Sequence, residues 1–198
     1  MSAGIDIQLV RERYQQMSDD EIVRVLTQDA SGLTNEALEV VTEEIRRRNL
    51  DPNINRGVAA QQKTYTVGQI DAYCEIIRGL PCPVTGSTSE KLNATLTIDV
   101  VSYIFLTQYK KRIVVGSPAA LDKANTNSTI RSALFGWWGI PWGLIRTPQA
   151  IFQNMKNKKT NHLDRPNDHL RSFVLTHIGQ IETYKEYPDK LREIISWN

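Results

Sequence analysis

The sequence predicts an α+β protein: an N-terminal helical hairpin, a small antiparallel β-ribbon and C-terminal helices. Three observations predict it. Apolar residues recur at helical spacing in the first fifty residues and again after residue 160. Between these regions, β-branched and aromatic residues crowd two stretches separated by a polar, basic break. Turn-rich Pro/Gly segments flank both stretches.

The elements follow in order. "IQLVRERYQQM" (7–17) reads as a first helix. Ser18 heads "SDDE", a capping box with Glu21 at the third helical position, and Ile22, Val23 and Leu26 fall on one side of the helix it opens. "ASGL" breaks the chain and Thr34 caps a third helix, in which Leu38, Val41 and Ile45 recur. Glu36 in its first turn and Arg46, Arg47 and Arg48 in its last suit the helix dipole. Asn49 is its expected C-cap, and Pro52 a stop. Residues 1–50 therefore form a helical module, with a hairpin over 18–50 that is too small to be stable alone.

Residues 51–64, "DPNINRGVAAQQKT", are polar and unpatterned and read as a linker. A ribbon-like domain is expected over 65–160. It opens with a helix in "TVGQIDAYCEIIRGL". A strand follows in "LNATLTIDVVSYIFL", a basic loop in "TQYKKR", and a strand and turn in "IVVGSPAALDK". "PQAIFQNMKNKK" reads as an amphipathic helix leaving a Trp-rich turn. Residues 161–198 are C-terminal helices. Leu170, Phe173, Val174, His177, Ile178, Ile181 and Tyr184 make one apolar stripe, with Pro166 in the first turn, and Pro188 and Asp189 open the last helix.

Composition narrows the function classes. The 198 residues are 40% hydrophobic and 23% charged, within the globular range. The first residues lack the pattern of a signal peptide, and no uncharged apolar run reaches the roughly 18 residues of a spanning helix. Two cysteines do not make a disulfide framework, so a cytoplasmic protein with reduced thiols is expected. The net charge of +2 hides an asymmetry: residues 1–55 hold 6 Lys or Arg against 11 Asp or Glu, and the remainder 18 against 11. No carboxylate lies between Asp122 and Asp164, a span containing Lys123, Arg131, Arg146, Lys156, Lys158 and Lys159. Such asymmetry points to an anionic partner or to a solvated face.

"ALFGWWGIPWGLI" (133–145) lies in that carboxylate-free span. Trp137, Trp138 and Trp142 read first as aromatic packing for a small domain, and second as an exposed surface for a membrane or a protein partner. The candidate contact surface joins these tryptophans to Arg131, Arg146, Lys156, Lys158, Lys159 and the triplet Lys110, Lys111, Arg112. No nucleophile motif, phosphate-cradling glycine loop or catalytic carboxylate pair is evident, so no enzyme is expected.

In "LPCPVTGS" the frame Cys82, Pro83, Val84, Thr85, Gly86 resembles a C-P-x-C-G zinc knuckle whose second cysteine is Thr85. "VVGSPAALDK" resembles the second knuckle, with Ser117 and Ala120 at the cysteine positions. With three of four ligands replaced, the resemblance implies a degenerate zinc ribbon that holds no zinc. Cys74 reads as packing on a helix face. His162, His169 and His177 are candidate ligands by residue type, but His169 and His177 stand about 12 Å apart by helical rise, too far for one metal without help from elsewhere, and His177 lies on the apolar stripe. Together with "FGWWGIPWGLIRTPQAIFQN", the two knuckles resemble a family of uncharacterised bacterial proteins in which a cysteine-bearing ribbon precedes a GWWG-x-PWG segment. The resemblance covers about residues 76–155. "YQQMSDDEIVRVL" to "EALEVVTEEIRRRNL" resembles a short helical module appended to assorted bacterial proteins, some of them membrane proteins. Neither resemblance carries an activity. The reading is a non-catalytic interaction protein of a bacterial cytoplasm without cofactor, engaging a protein partner or an anionic inner-membrane surface. A nucleic-acid-binding ribbon is the alternative.

Overall fold

The computed structural model describes residues 7–103 and 106–196. Strand positions Ile104 and Phe105, and the outer ends 1–6 and 197–198 of the predicted segments, lie outside the described residues. The described elements run α1 (Ile7–Gln16), α2 (Asp19–Gln28), α3 (Asn35–Arg47), α4 (Asn53–Gln61), α5 (Val67–Arg78), β1 (Asn93–Tyr103), β2 (Leu106–Gly116), α6 (Pro118–Phe135), α7 (Trp142–Lys158), α8 (Asp168–Thr176), α9 (Ile178–Tyr184) and α10 (Pro188–Ser196). The protein is α+β, as the sequence predicts. It divides into two compact units, Met1–Thr66 with Leu175–Tyr187, and Val67–Val174 with Pro188–Asn198.

The first unit is helical. Ser18 Oγ accepts from the Glu21 amide, and the Glu21 carboxylate accepts from the Ser18 amide, completing the predicted capping box. Such caps contribute about 1 kcal/mol each. Thr34 caps α3 through the Ala37 amide. At the other end of α3, Asn49 adopts φ 54°, and the amides of Asn49 and Leu50 reach back to the Arg46 and Ile45 carbonyls. This is a Schellman ending, which an asparagine tolerates at the left-handed position. Arg48 closes a second helix end: it donates to the Tyr14, Gln15 and Met17 carbonyls left over by α1, and it is held by Glu44 and Asp19. Tyr14, Ile22, Leu26, Val41, Ile45, Ile54 and Val58 form the core.

Two expectations fail here. Residues 51–64 are not a linker: α4 occupies most of them and buries Ile54, Val58 and Ala60. Its Gln61 donates to the Leu26 carbonyl and accepts from the Ala30 amide, bridging the end of α2 and the turn after it. Short apolar residues at spacings of two to four carried that signal, and the surrounding polar residues masked it. The C-terminal helices are likewise not one segment, since α9 belongs to the first unit and α10 to the second. The long apolar stripe breaks at His177 into α8 and α9, and Pro166 precedes α8 rather than lying in its first turn.

The second unit is built around an antiparallel hairpin pairing Asn93 with Gly116 through Tyr103 with Leu106. "TQYKKR" is therefore strand, not the predicted basic loop. "SPAALDK" opens α6 instead of a turn, with Ser117 as N-cap and Pro118 in the first turn. β1 is buried almost throughout, whereas β2 is exposed from Gln108 to Arg112.

Among the described residues no third strand pairs with the outer edge of β1. Side chains of α6, α7 and the residue preceding α8 take its place. Asn154 accepts from the Ile98 amide at 2.9 Å and donates to the Ile98 carbonyl at 2.8 Å, as a neighbouring strand would. Ser132 Oγ accepts from the Val100 amide, and Asn157 and Asn125 donate to the Leu96 carbonyl. Asn167 donates to the Ala94 carbonyl at 2.6 Å. Each bond adds about 1 kcal/mol net, and leaving the strand groups unpaired would cost more.

Candidate functional site

The candidate site is the end of the second unit where the α6–α7 connection meets the ends of β1 and β2. Close approach fixes this meeting. A Cβ on Gly139 would overlap Thr107 Oγ1 and lie 3.0 Å from Ser102 Oγ, and one on Gly143 would overlap the Gly136 carbonyl oxygen. Ser102 Oγ donates to that same carbonyl at 2.7 Å. Only glycine leaves room for the backbones there.

From Ser132 onward the helix polarity is inverted. The buried positions are Ser132, Gly136, Gly139, Gly143, Thr147, Ala150, Asn154 and Asn157, at spacings of three and four. The outward positions include Leu134, Phe135, Trp137, Trp138, Ile140, Trp142, Leu144 and Ile145, and Tyr103 and Leu106 are exposed at the strand ends. Trp137 is 41% exposed, Trp142 59%, Trp138 69% and Ile140 78%. The tryptophans are not the core packing that the sequence suggested first. Small and polar side chains fill the seam between α6, α7 and β1, and no space remains in it for an indole.

Several backbone carbonyls of the tip are served from within it. Trp137 Nε1 donates to the Ala133 carbonyl at 2.8 Å, and Trp138 Nε1 to the Leu134 carbonyl at 3.3 Å. Both carbonyls belong to the last turn of α6, which has no helical amide to serve them. The Gly136 amide reaches the Ser132 carbonyl, and the Gly143 amide the Gly139 carbonyl.

The predicted cations do not all join this tip. Arg131 stands one helical turn before Phe135, and Arg146 one turn after Trp142, so both collar the apolar end. On β2, Lys110 and Arg112 lie on one face of the sheet and Lys111 on the other. Lys111 Nζ lies 5.5 Å and the Arg146 guanidinium 5.4 Å from the Tyr109 ring centre. Lys156, Lys158 and Lys159 are elsewhere: Lys156 lies about 20 Å along α7 from Trp142. Lys158 donates to Thr126 Oγ1.

Cys82 and Ser117, placed in opposing knuckles by the resemblance, lie together: the Ser117 amide donates to Cys82 Sγ at 3.4 Å. Burial pushes this thiol up, but donors from Thr85 and Ser117 together outweigh it and bring it down to about 7. Cys74 is fully buried in α5, and burial pushes its thiol up to about 12. His162 meets Asp122 at 3.0 Å, while burial lowers His169. Among the described residues, no three His, Cys, Asp or Glu side chains gather as a metal needs.

Sequence reading missed the inverted seam. Its signal was present in Ser132, Gly136, Gly139, Gly143 and Thr147, which recur at helical spacing. Among the described residues no helix is long and apolar enough to cross a membrane. No protein-family model matches the chain, and comparison with curated proteins and with solved structures finds no match.

Proposed function

We propose that this chain is a non-catalytic interaction protein that attaches to an anionic membrane surface through the α6–α7 tip. The inverted polarity of the tip carries the reading. A helix folded for water turns its apolar stripe inward. Helices that meet in lipid pack through small and polar residues and face outward with apolar ones. This pair does the latter from Ser132 to Ile145, before Arg146 and Gln149 make the outer face polar again.

Two further features support it. Unpaired backbone groups are costly in lipid, and the two indoles and the Gly136 amide serve the Ala133, Leu134 and Ser132 carbonyls at the end of α6 from within. Arg131 and Arg146 stand about 6 Å by helical rise behind Phe135 and Trp142, a depth at which an interfacial element meets headgroups. The nucleic-acid alternative has less support. Tyr109 is the aromatic ring beside the basic triplet, and two cations already lie against it.

Vesicle co-sedimentation tests the reading. The protein is expected to sediment with vesicles containing phosphatidylglycerol at low salt, with its tryptophan emission shifted to the blue. Trp138→Ser combined with Ile140→Ser removes two exposed side chains, each worth about 1.5–3 kcal/mol on burial, and so lowers affinity about 100-fold or more. Absence of binding by the unaltered protein at low salt would sink the proposal. Capture by a soluble protein with no affinity for vesicles would replace it with a protein-docking role.

A further inference from the structure

We infer that the cavity between β2 and α6 is a phosphate site that takes the headgroup of an anionic phospholipid; this rests on the membrane reading above. Asp99, Val101, Gln108, Lys110, Arg112 and Arg131 line the cavity. Its volume is about 150 Å³. The strand register pairs Asp99 with Lys110 and Thr97 with Arg112, so Asp99, Lys110 and Arg112 share one face of the sheet. α6 brings Arg131 to that face, one turn before Phe135.

The charge in the cavity is not balanced. Three cations face one carboxylate. Arg112 Nη2 donates to Asp99 Oδ2 at 3.1 Å, which fixes the guanidinium in place. Lys110 and Arg131 make no ion pair among the described residues. Two unpaired cations beside an anchored guanidinium suit a tetrahedral oxyanion, which a guanidinium binds through two parallel N–H bonds. The position of the cavity selects the source of the anion. It lies just behind the apolar tip, where a bilayer holds its phosphates when the tip is seated in the interface. The opposite face of the collar also holds two cations, Lys111 and Arg146, but these lie against Tyr109.

The test uses the full chain and two charge-matched double variants. Lys110→Gln with Arg131→Gln empties the cavity of its unpaired cations. Lys111→Gln with Arg146→Gln removes as much charge from the other face. All four residues are exposed, so both variants should keep the wild-type circular dichroism. Loss of two surface cations alone reduces binding to phosphatidylglycerol vesicles about 30-fold, the result expected for Lys111 and Arg146. The cavity variant is expected to lose at least about tenfold more, because charge-assisted hydrogen bonds are lost with the charge. Inorganic phosphate alone, titrated by NMR, is expected to shift the Arg131 side-chain resonances weakly. Equal losses in the two variants would overturn the phosphate site and leave the membrane reading standing. Phosphate binding without any vesicle binding would overturn the lipid source and the membrane reading together. Binding to neither would overturn both proposals.

Discussion

Replacing Asn154 with aspartate changes one side-chain amide into a carboxylate of nearly the same shape, and it strikes the bond pair that holds β1 against α7. Asn154 donates to the Ile98 carbonyl at 2.8 Å and accepts from the Ile98 amide at 2.9 Å. A carboxylate keeps the second bond and turns the first into a contact between two acceptors. It also places a charge at a position with no exposed surface. Uncompensated buried charge costs about 3–5 kcal/mol. Asn154→Ala should cost less, about 2–4 kcal/mol. It leaves the Ile98 amide unpaired, but the Ile98 carbonyl retains Ser132 Oγ at 3.4 Å. The aspartate penalty is pH-dependent, and the sign is fixed. Burial raises the folded-state pKa of the new carboxyl above its unfolded value of about 3.9. Stability is therefore lost as pH rises from about 4 and recovered as it falls, because the protonated acid can again donate to Ile98. Urea denaturation followed by far-ultraviolet circular dichroism, at pH values from about 7 down to about 4, measures the gap from wild type at each pH. An aspartate variant as stable as wild type at neutral pH, or a gap that does not narrow on acidification, refutes the reasoning.

Three further outcomes follow from the second unit. Gly143→Ala pushes a methyl group into the Gly136 carbonyl and to within 2.9 Å of Ser102 Oγ, and should cost about 1–3 kcal/mol in denaturation. It should weaken vesicle binding as well, although it adds apolar surface. Gly68→Ala, at a helical position with open space around it, should instead stabilise by about 0.5 kcal/mol. Cys82 should make stability depend on pH. Its folded-state pKa of about 7 lies below the ordinary 9.0, so its contribution is complete above pH 9.0 and lost as pH falls through about 7. The contribution is on the order of 3 kcal/mol. Denaturation of wild type and Cys82→Ser across that window should show the gain in wild type alone, and a parallel rise in both would remove Cys82 as its source.

The helices of the first unit were legible because their signals are local. Ser18 with Glu21, Thr34 and Asn49 each satisfy backbone groups within a turn of themselves, and the structure keeps all three. The basic strand was not legible, because Lys110, Lys111 and Arg112 lack the alternation of a half-buried strand. β2 is exposed there on both faces, and its pairing to β1 alone makes it a strand. The tryptophan segment was misjudged for a related reason. Reading apolar as inside and polar as outside assigns Trp138 to the core and Asn154 to solvent, and the fold reverses both. Asparagine at Asn125, Asn154 and Asn157 is buried because a strand edge needs donors and acceptors, a demand set by distant sequence. The cavity cations were named individually, but their sorting onto two faces required the register.

The inverted seam also reverses which substitutions evolution can accept. In an ordinary domain the apolar positions hold steady and the polar ones drift. At this tip the outward aliphatic side chains, Ile140 above all, touch little of their own chain, so one bulky apolar residue can replace another there as long as the surface stays greasy. The serine, glycines and asparagines of the seam have no such latitude: a methyl group collides, and a lost amide strands the edge of β1. Among descendants of a common ancestor, the tip would keep its small residues, its asparagines and the hydrogen-bonding Trp137 and Trp138 in register while Ile140, Leu144 and Ile145 wander.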